Sequence, residues 1–236
     1  MSLSVEVLPV ERWADEVAGR FHDRVGPGSR TCLATGATVR PLYKAVAGRT
    51  PLDGITIFLL DEFGGLPEGD PGRCESMIRR DLLDHSKGTP TLNMPDVDAS
   101  EPDHEADRYA ALVELGGLDL AIVGLGSNGH IGMNEPGATS DLTTRVVDLA
   151  PSTIANAATY GASTSPTWGI TVGISELMKA REVWLVVTGE HKREVLHRTL
   201  TEQIGPHLPA TYLRDHHDCT VFADTDAAPD QPDKLR

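Results

Sequence analysis

The chain is poor in cysteine, in positive charge and in long apolar runs. Its 236 residues hold three cysteines, Cys32, Cys74 and Cys219, far apart. They match neither a metal-ligand spacing nor a disulfide framework, so they are expected to be buried or incidental thiols. Lys and Arg number 21 against 35 Asp and Glu, a formal charge of −14. That balance argues against nucleic acid or an anionic membrane as partner. It leaves room for an anionic substrate, which a few local cations or backbone amides can hold. No apolar run approaches the roughly 18 residues of a membrane span, and no basic-then-apolar leader stands at Met1, so a cytoplasmic location is expected. No serine occupies a G-x-S-x-G elbow, so a hydrolase nucleophile of that kind is missing. There are no internal repeats.

What is present is organised around Gly124-Leu125-Gly126-Ser127-Asn128-Gly129-His130-Ile131-Gly132-Met133-Asn134-Glu135-Pro136-Gly137. The short apolar run Leu118 to Val123 leads into it and reads as a buried strand. The glycines that follow suit a sharp turn at the strand's C-terminal end, where open α/β sheets bind ligands. His130 and Glu135 share this turn with Ser127, Asn128 and Asn134. An imidazole takes and returns a proton near neutral pH, and a nearby carboxylate orients it and raises its basicity.

Ser4 to Leu8 reads as an edge strand. Val10 to Val25 reads as a helix with Trp13, Val17, Phe21 and Val25 on one face. Strand Thr31 to Ala34 runs into Thr35-Gly36-Ala37-Thr38 and then a helix near Leu42 to Val46. That is the geometry of a phosphate-binding turn, or of an ordinary βα turn with a Thr cap. Strand Ile55 to Leu60 ends in Asp61-Glu62, with Asp61 either a catalytic carboxylate or a turn cap and Glu62 solvated. Pro71 to His85 reads as a helix, Lys87 to Asp103 as a loop and His104 to Leu115 as a helix.

Residues 139–166 are rich in Ala, Ser and Thr and suggest a mobile lid. Trp168 to Met178 reads as a short segment running into a helix. Glu182 to Val187 is a strand, followed by Thr188-Gly189-Glu190-His191-Lys192 and a helix to about Leu200. Lys192, at a helix N-terminus where the dipole does not favour a cation, either binds an anion or is solvated. Cys219 to Ala223 is the last strand, and 224–236 reads as a frayed tail. Strand–helix alternation with five or six strands predicts one doubly wound, mostly parallel sheet with helices on both faces, a Rossmann-like α/β domain over residues 1–223. In such a sheet Thr35-Gly36, Asp61, His130 and Lys192 all follow strands and converge on one edge.

Five stretches together resemble the glucosamine-6-phosphate deaminase family, which is related in fold to 6-phosphogluconolactonase. They are Leu33 to Thr38, Leu60 to Pro67, Asn128 to Pro136, Thr144 to Val146 and Thr188 to Lys192. The resemblance implies an aldose–ketose isomerase that also releases ammonia, converting glucosamine 6-phosphate to fructose 6-phosphate through an enolamine. On that likeness Asp61 moves the proton between C2 and C1. His130 assists ring opening, Glu135 is its carboxylate partner, and Asn128 orients the histidine by hydrogen bonding. Thr35, Gly36, Ala37, Thr38 and Lys192 hold the phosphate. No metal or organic cofactor is implied, and the partner is a phosphorylated amino sugar. The length matches the shorter, unregulated members, and a monomer or a homo-oligomer is equally compatible.

The lid departs from the pattern. The family carries an arginine in an A-N-x-R-F-F-like stretch, but here it reads Ala155-Asn156-Ala157-Ala158-Thr159-Tyr160, and no Lys, Arg or His stands between Arg145 and Lys179. Losing a phosphate-binding arginine forfeits one or two charge-assisted hydrogen bonds, about 1.5–3 kcal/mol each. Arg40 and Arg73, at unusual positions, are either its substitutes or solvated. Cys74 and Met133 also depart from the pattern and point to a remodelled pocket. The alternatives are a deaminase-like isomerase for another amino sugar, a lactonase, or a non-catalytic sugar-phosphate sensor. Asn134-Glu135-Pro136 discriminates against the lactonase.

Overall fold

The computed structural model describes residues 3–229. Its strands are β1 Leu3–Leu8, β2 Arg30–Leu33, β3 Thr56–Leu59, β4 Asp61–Gly64, β5 Thr91–Asn93, β6 Leu120–Gly124, β7 Arg145–Asp148, β8 Trp168–Thr171, β9 Val183–Val187 and β10 Cys219–Asp224. The helices are α1 Val10–Arg24, α2 Val39–Arg49, α3 Cys74–Asp81, α4 Pro102–Glu114, α5 Pro151–Thr159, α6 Ile174–Lys179 and α7 Arg193–Thr201.

Seven strands form one sheet in the order β1-β10-β9-β6-β2-β3-β5, with every neighbouring pair parallel. The doubly wound α/β class expected from the alternation holds. Alternation of side chains along each strand feeds two cores. Leu33, Ile57, Leu59 and Ile122 pack with Trp13, Val17, Phe21 and Leu42 of α1 and α2 on one face. Cys32, Phe58, Ala121 and Val123 pack with Tyr109, Leu177 and Leu196 of α4, α6 and α7 on the other. From β2 the chain steps outward to β3 and β5, then returns to β6 on the other side of β2. The crevice between the C-terminal ends of β2 and β6 is therefore the topological switch point of the sheet.

Several expectations are corrected. The sheet has seven strands rather than five or six, because Thr91–Asn93 pairs with β3 inside a stretch that its prolines mark as loop. A second, antiparallel sheet of β4, β8 and β7 stands beside the first. Within residues 139–166, where a lid is expected, β7 is paired to β8 and α5 is helical. The expected helix from Pro71 to His85 shortens to α3 followed by a 3-10 turn, Leu83–His85. The tail does not fray at 224. Asp224 ends β10, and its carboxylate accepts from the backbone N–H of Gly189 at 3.0 Å and of Ala227 at 2.7 Å. The remainder of that tail, 230–236, lies outside the described residues.

Candidate active site

Two buried tyrosines prepare the switch point. The chain at the ends of β2 and β3 leaves carbonyls that the sheet does not pair. Tyr43 of α2 donates its hydroxyl to Ala34 O at 2.5 Å, and Tyr109 of α4 donates to Leu59 O at 2.7 Å. Meeting such buried acceptors avoids a penalty of about 1–3 kcal/mol each. With those ends held, the turns beyond them surround a cavity of about 340 Å³.

The first wall is Thr35 to Thr38 and the N-terminus of α2. Gly36 adopts φ +116°, which an L side chain rarely tolerates, and the turn closes with Arg40 N on Gly36 O at 3.2 Å. No side chain caps α2 at Thr38; Arg40 N is already spent on Gly36 O and Pro41 has no N–H, so the N–H groups of Thr38 and Val39 are the ones left for a ligand or water. Thr35, Ala37 and Thr38 line the cavity, and so does Lys192, the last residue of the 3-10 turn Glu190–Lys192 before α7. Burial lowers the Lys192 pKa, and the ammonium makes no ion pair among the described residues. Asp224 positions this turn through Gly189.

Asp61 sits where one extended chain leaves the parallel sheet at Leu60 and enters the antiparallel one as β4. Leu60 N bonds Leu33 O at 3.0 Å while Leu60 O accepts from Val172 N at 2.8 Å, so the crossing point is pinned from both sheets. Burial pushes the Asp61 carboxyl up to about 6, opposed by a hydrogen bond from Cys74 and by the charge of His130. The Cys74 thiol donates to Asp61 Oδ1 at 3.5 Å. A carboxylate that exchanges its proton near neutral pH is what a positioned base requires.

The third wall is the glycine-rich turn after β6. Glu135 Oε2 accepts from His130 Nδ1 at 3.1 Å and from Asn128 Nδ2 at 2.7 Å, while Asn128 Oδ1 accepts from His130 N at 3.2 Å. With Nδ1–H given to the carboxylate, Nε2 keeps the free lone pair. Burial raises the Glu135 pKa, but the bonds from His130, Thr153 and Asn128 and the His130 charge outweigh it and hold the group at about 2. The His130 ring lies flat against Gly126: a Cβ there would stand 2.2 Å from His130 Cδ2. Asn134 fixes the turn from behind. It is fully buried, donates to Ile131 O at 3.0 Å and Val172 O at 2.9 Å, and accepts from Arg145 Nη1 at 2.9 Å.

The structure thus brings Thr35, Gly36, Ala37, Thr38, Asp61, Asn128, His130, Glu135 and Lys192 around or directly behind one cavity. It does not bring Arg73 there. Arg73 is buried, forks onto Asp98 at 2.7 and 2.8 Å and donates to Leu66 O, because that carbonyl and the loop around Asp98 need a fixed donor. Arg40 pairs with Asp81 at 3.3 Å and does not line the cavity. Glu62, expected to be solvated, is buried and caps α3, accepting from Phe63 N, Cys74 N and Glu75 N at 2.7, 2.8 and 2.7 Å. Burial pushes it up to about 7 against those three bonds.

Three contributors, Thr153, His191 and Tyr160, had no role in the sequence analysis, and Cys74 had one only as a sign of a remodelled pocket. Thr153, in the first turn of α5, donates to Glu135 Oε1 at 2.5 Å and so ties the cover to the histidine's partner. Cys74 touches the base and lines the cavity, as do His191 and Tyr160. Of this set only Cys74 had a signal, its departure from the family pattern.

Comparison with known proteins shows the family. A family model described as glucosamine-6-phosphate isomerases/6-phosphogluconolactonase matches residues 11–222. The chain belongs to that family. It is 37% identical to a glucosamine-6-phosphate deaminase of Rhodopirellula baltica, over 96% of this chain and 95% of the relative. A deaminase of a Geobacillus strain is 35% identical over 96% and 93%. Among solved structures, a monomeric glucosamine-6-phosphate deaminase superposes with a TM-score of 0.90 at 29% identity, over 99% of this chain and all of that one. A 6-phosphogluconolactonase of Thermotoga maritima superposes at 0.78 with 19% identity, which shows the shared fold alone. The chain is therefore an enzyme of the isomerase and deaminase type within carbohydrate metabolism.

Proposed function

We propose that this enzyme converts glucosamine 6-phosphate and water to fructose 6-phosphate and ammonia. One observation carries the reading: a carboxylate raised to about 6, Asp61, and a carboxylate-held histidine, His130, share a cavity with an uncapped helix N-terminus and Lys192. The phosphate rests on the 35–38 turn and Lys192. His130 Nε2 takes the proton of the anomeric hydroxyl and returns it to the ring oxygen, which opens the ring. Glu135 stabilises the imidazolium formed in between. Asp61 then removes the C2 proton, giving an enolamine, and delivers a proton to C1. The resulting C2 iminium adds water and expels ammonia, so the overall reaction hydrolyses a C–N bond with no redox change. A positioned base of this kind contributes about 10²–10⁴-fold.

Asn134-Glu135-Pro136 and Asp61 favour this reading over lactone hydrolysis, which has no use for a proton shuttle between two carbons. The test is ammonia release from glucosamine 6-phosphate, galactosamine 6-phosphate and unphosphorylated glucosamine. Ammonia from glucosamine 6-phosphate in preference to the other two supports the reading. Release from a different sugar alone moves the substrate, and release from none of the three overturns it.

A further inference from the structure

The anion-binding end of the cavity is short of charge. A phosphate monoester carries about −1.5 to −2 at neutral pH and three strong acceptor oxygens. Lys192 is the one Lys or Arg among the described residues that lines the cavity, and the cover helix α5 brings no cation. The ammonium, the helix N-terminus, Thr35, Thr38 and His191 are donors from the turn and from the Lys192 side, and the side facing the cover has no cation.

Tyr160, at the C-terminal end of α5, stands on that side. Its phenol lies directly over the 35–38 turn: a Cβ at Gly36 would come within 3.2 Å of Tyr160 Oη and 3.5 Å of Cζ. Tyr43 and Tyr109 spend their hydroxyls on the carbonyls of Ala34 and Leu59. The Tyr160 hydroxyl has no hydrogen-bond partner among the described residues. Its neighbour Thr159 also lines the cavity, but that hydroxyl already donates to Asn156 O at 2.6 Å.

The ring's position is fixed from its own backbone. Tyr160 N bonds Ala157 O at 3.0 Å and Gly161 N bonds Ala158 O at 3.1 Å. Just beyond, Ser163 N donates to Asp70 Oδ2 at 3.1 Å and the Ser163 hydroxyl bonds the same oxygen. A donor held in place loses little freedom on binding, which favours affinity. Burial, with Cys74 and Asp61 nearby, pushes the phenol pKa up against the opposing charge of Arg40, which is itself paired with Asp81, so the proton stays on the oxygen at neutral pH.

We propose that Tyr160 is a specificity-determining residue for phosphorylated substrate, donating its phenolic O–H to a phosphate oxygen seated on the Thr35–Thr38 turn. The cover then recognises the phosphate with a neutral donor instead of a cation. This inference rests on the sugar-phosphate reading of the cavity.

The test is Tyr160→Phe, which removes one oxygen and keeps the ring. Binding of glucosamine 6-phosphate and of inorganic phosphate is titrated calorimetrically for both proteins, alongside ammonia release. Loss of one hydrogen bond to a charged group should raise Kd for both ligands and KM for the sugar phosphate by about tenfold to a hundredfold. In the same variant kcat should stay within about threefold, as for an interaction made equally in ground and transition states. Unchanged Kd for both ligands overturns the proposal. Tighter binding also overturns it, since the phenol would then be a plug over the turn. If wild-type protein binds phosphate but releases no ammonia, the enzymatic reading fails, while the two phosphate titrations still decide the role of Tyr160.

Discussion

The proton affinity of Asp61 is set by burial against two opposing influences, the Cys74 thiol and the His130 charge, and the thiol can be removed by substitution. Burial raises the carboxyl, the Cys74 thiol, 3.5 Å from Oδ1, and the His130 charge oppose it, and the balance stands at about 6. Cys74→Ala deletes that donor and leaves the Glu62 cap of α3 in place, because the cap is made to backbone N–H groups. A thiol is a weak donor, so its contribution is on the order of 0.7 kcal/mol, at the low end of net hydrogen-bond values. At 1.36 kcal/mol per pKa unit, that is about half a unit. Asp61 acts as the base only when ionised. The rate therefore rises with pH through about 6 in the wild type, and the midpoint shifts up by about half a unit in Cys74→Ala.

The assay is kcat/KM for ammonia release from about pH 5 to about pH 8. The substrate phosphate itself titrates near pH 6, but it does so identically for both proteins and cancels in the difference. A midpoint that moves down, or stays put, in Cys74→Ala refutes the assignment of the thiol. A wild-type midpoint near an ordinary aspartate's refutes the buried base. The linkage has a cost elsewhere: a carboxyl whose folded pKa is raised contributes stability that is lost as pH rises through about 6.

Other outcomes follow from named contacts. Gly126→Ala places a methyl against the His130 ring and should cut kcat about 10²-fold in protein that is still folded, since ångström-scale misplacement costs that much. Unchanged kcat would show that the ring is free to move. Asn134→Ala strands two buried carbonyls and a guanidinium. It should lower unfolding free energy in denaturant by about 2–4 kcal/mol, and a loss below about 1 would contradict the pinning role. Arg73→Ala should cost about 1–3 kcal/mol of stability by freeing Leu66 O, with KM for the sugar phosphate unaltered. A raised KM there would return Arg73 to the phosphate site.

The parallel sheet was legible because its central strands announce themselves. Leu120 to Gly124 and Val183–Val187 are apolar runs too short for helices, and each ends in a glycine-bearing turn. The convergence of Thr35, Asp61, His130 and Lys192 follows from topology, since all four come after parallel strands. The antiparallel sheet was not legible. Asp61–Gly64 reads as a polar turn, and its partner Trp168–Thr171 is remote in sequence, so no local pattern signals the pairing. Glu62 and Arg73 were misplaced for the same reason. The groups that bury them, the N-terminus of α3 for one and Leu66 O with Asp98 for the other, are brought by tertiary packing. Thr153 and Tyr160 were hidden in a stretch of small residues whose composition suggests loose cover, although Thr153 bonds Glu135 and Ser163 clasps Asp70.

The central claim is that Asp61 carries the proton in a deamination of sugar phosphate. The most direct measurement compares wild type and Asp61→Asn for binding of glucosamine 6-phosphate and for ammonia release. The account predicts Kd within about threefold, since Asp61 does not hold the phosphate, and a rate lower by about 10²–10⁴-fold. An Asp61→Asn protein that is folded, binds the sugar phosphate and still releases ammonia at close to the wild-type rate would contradict it.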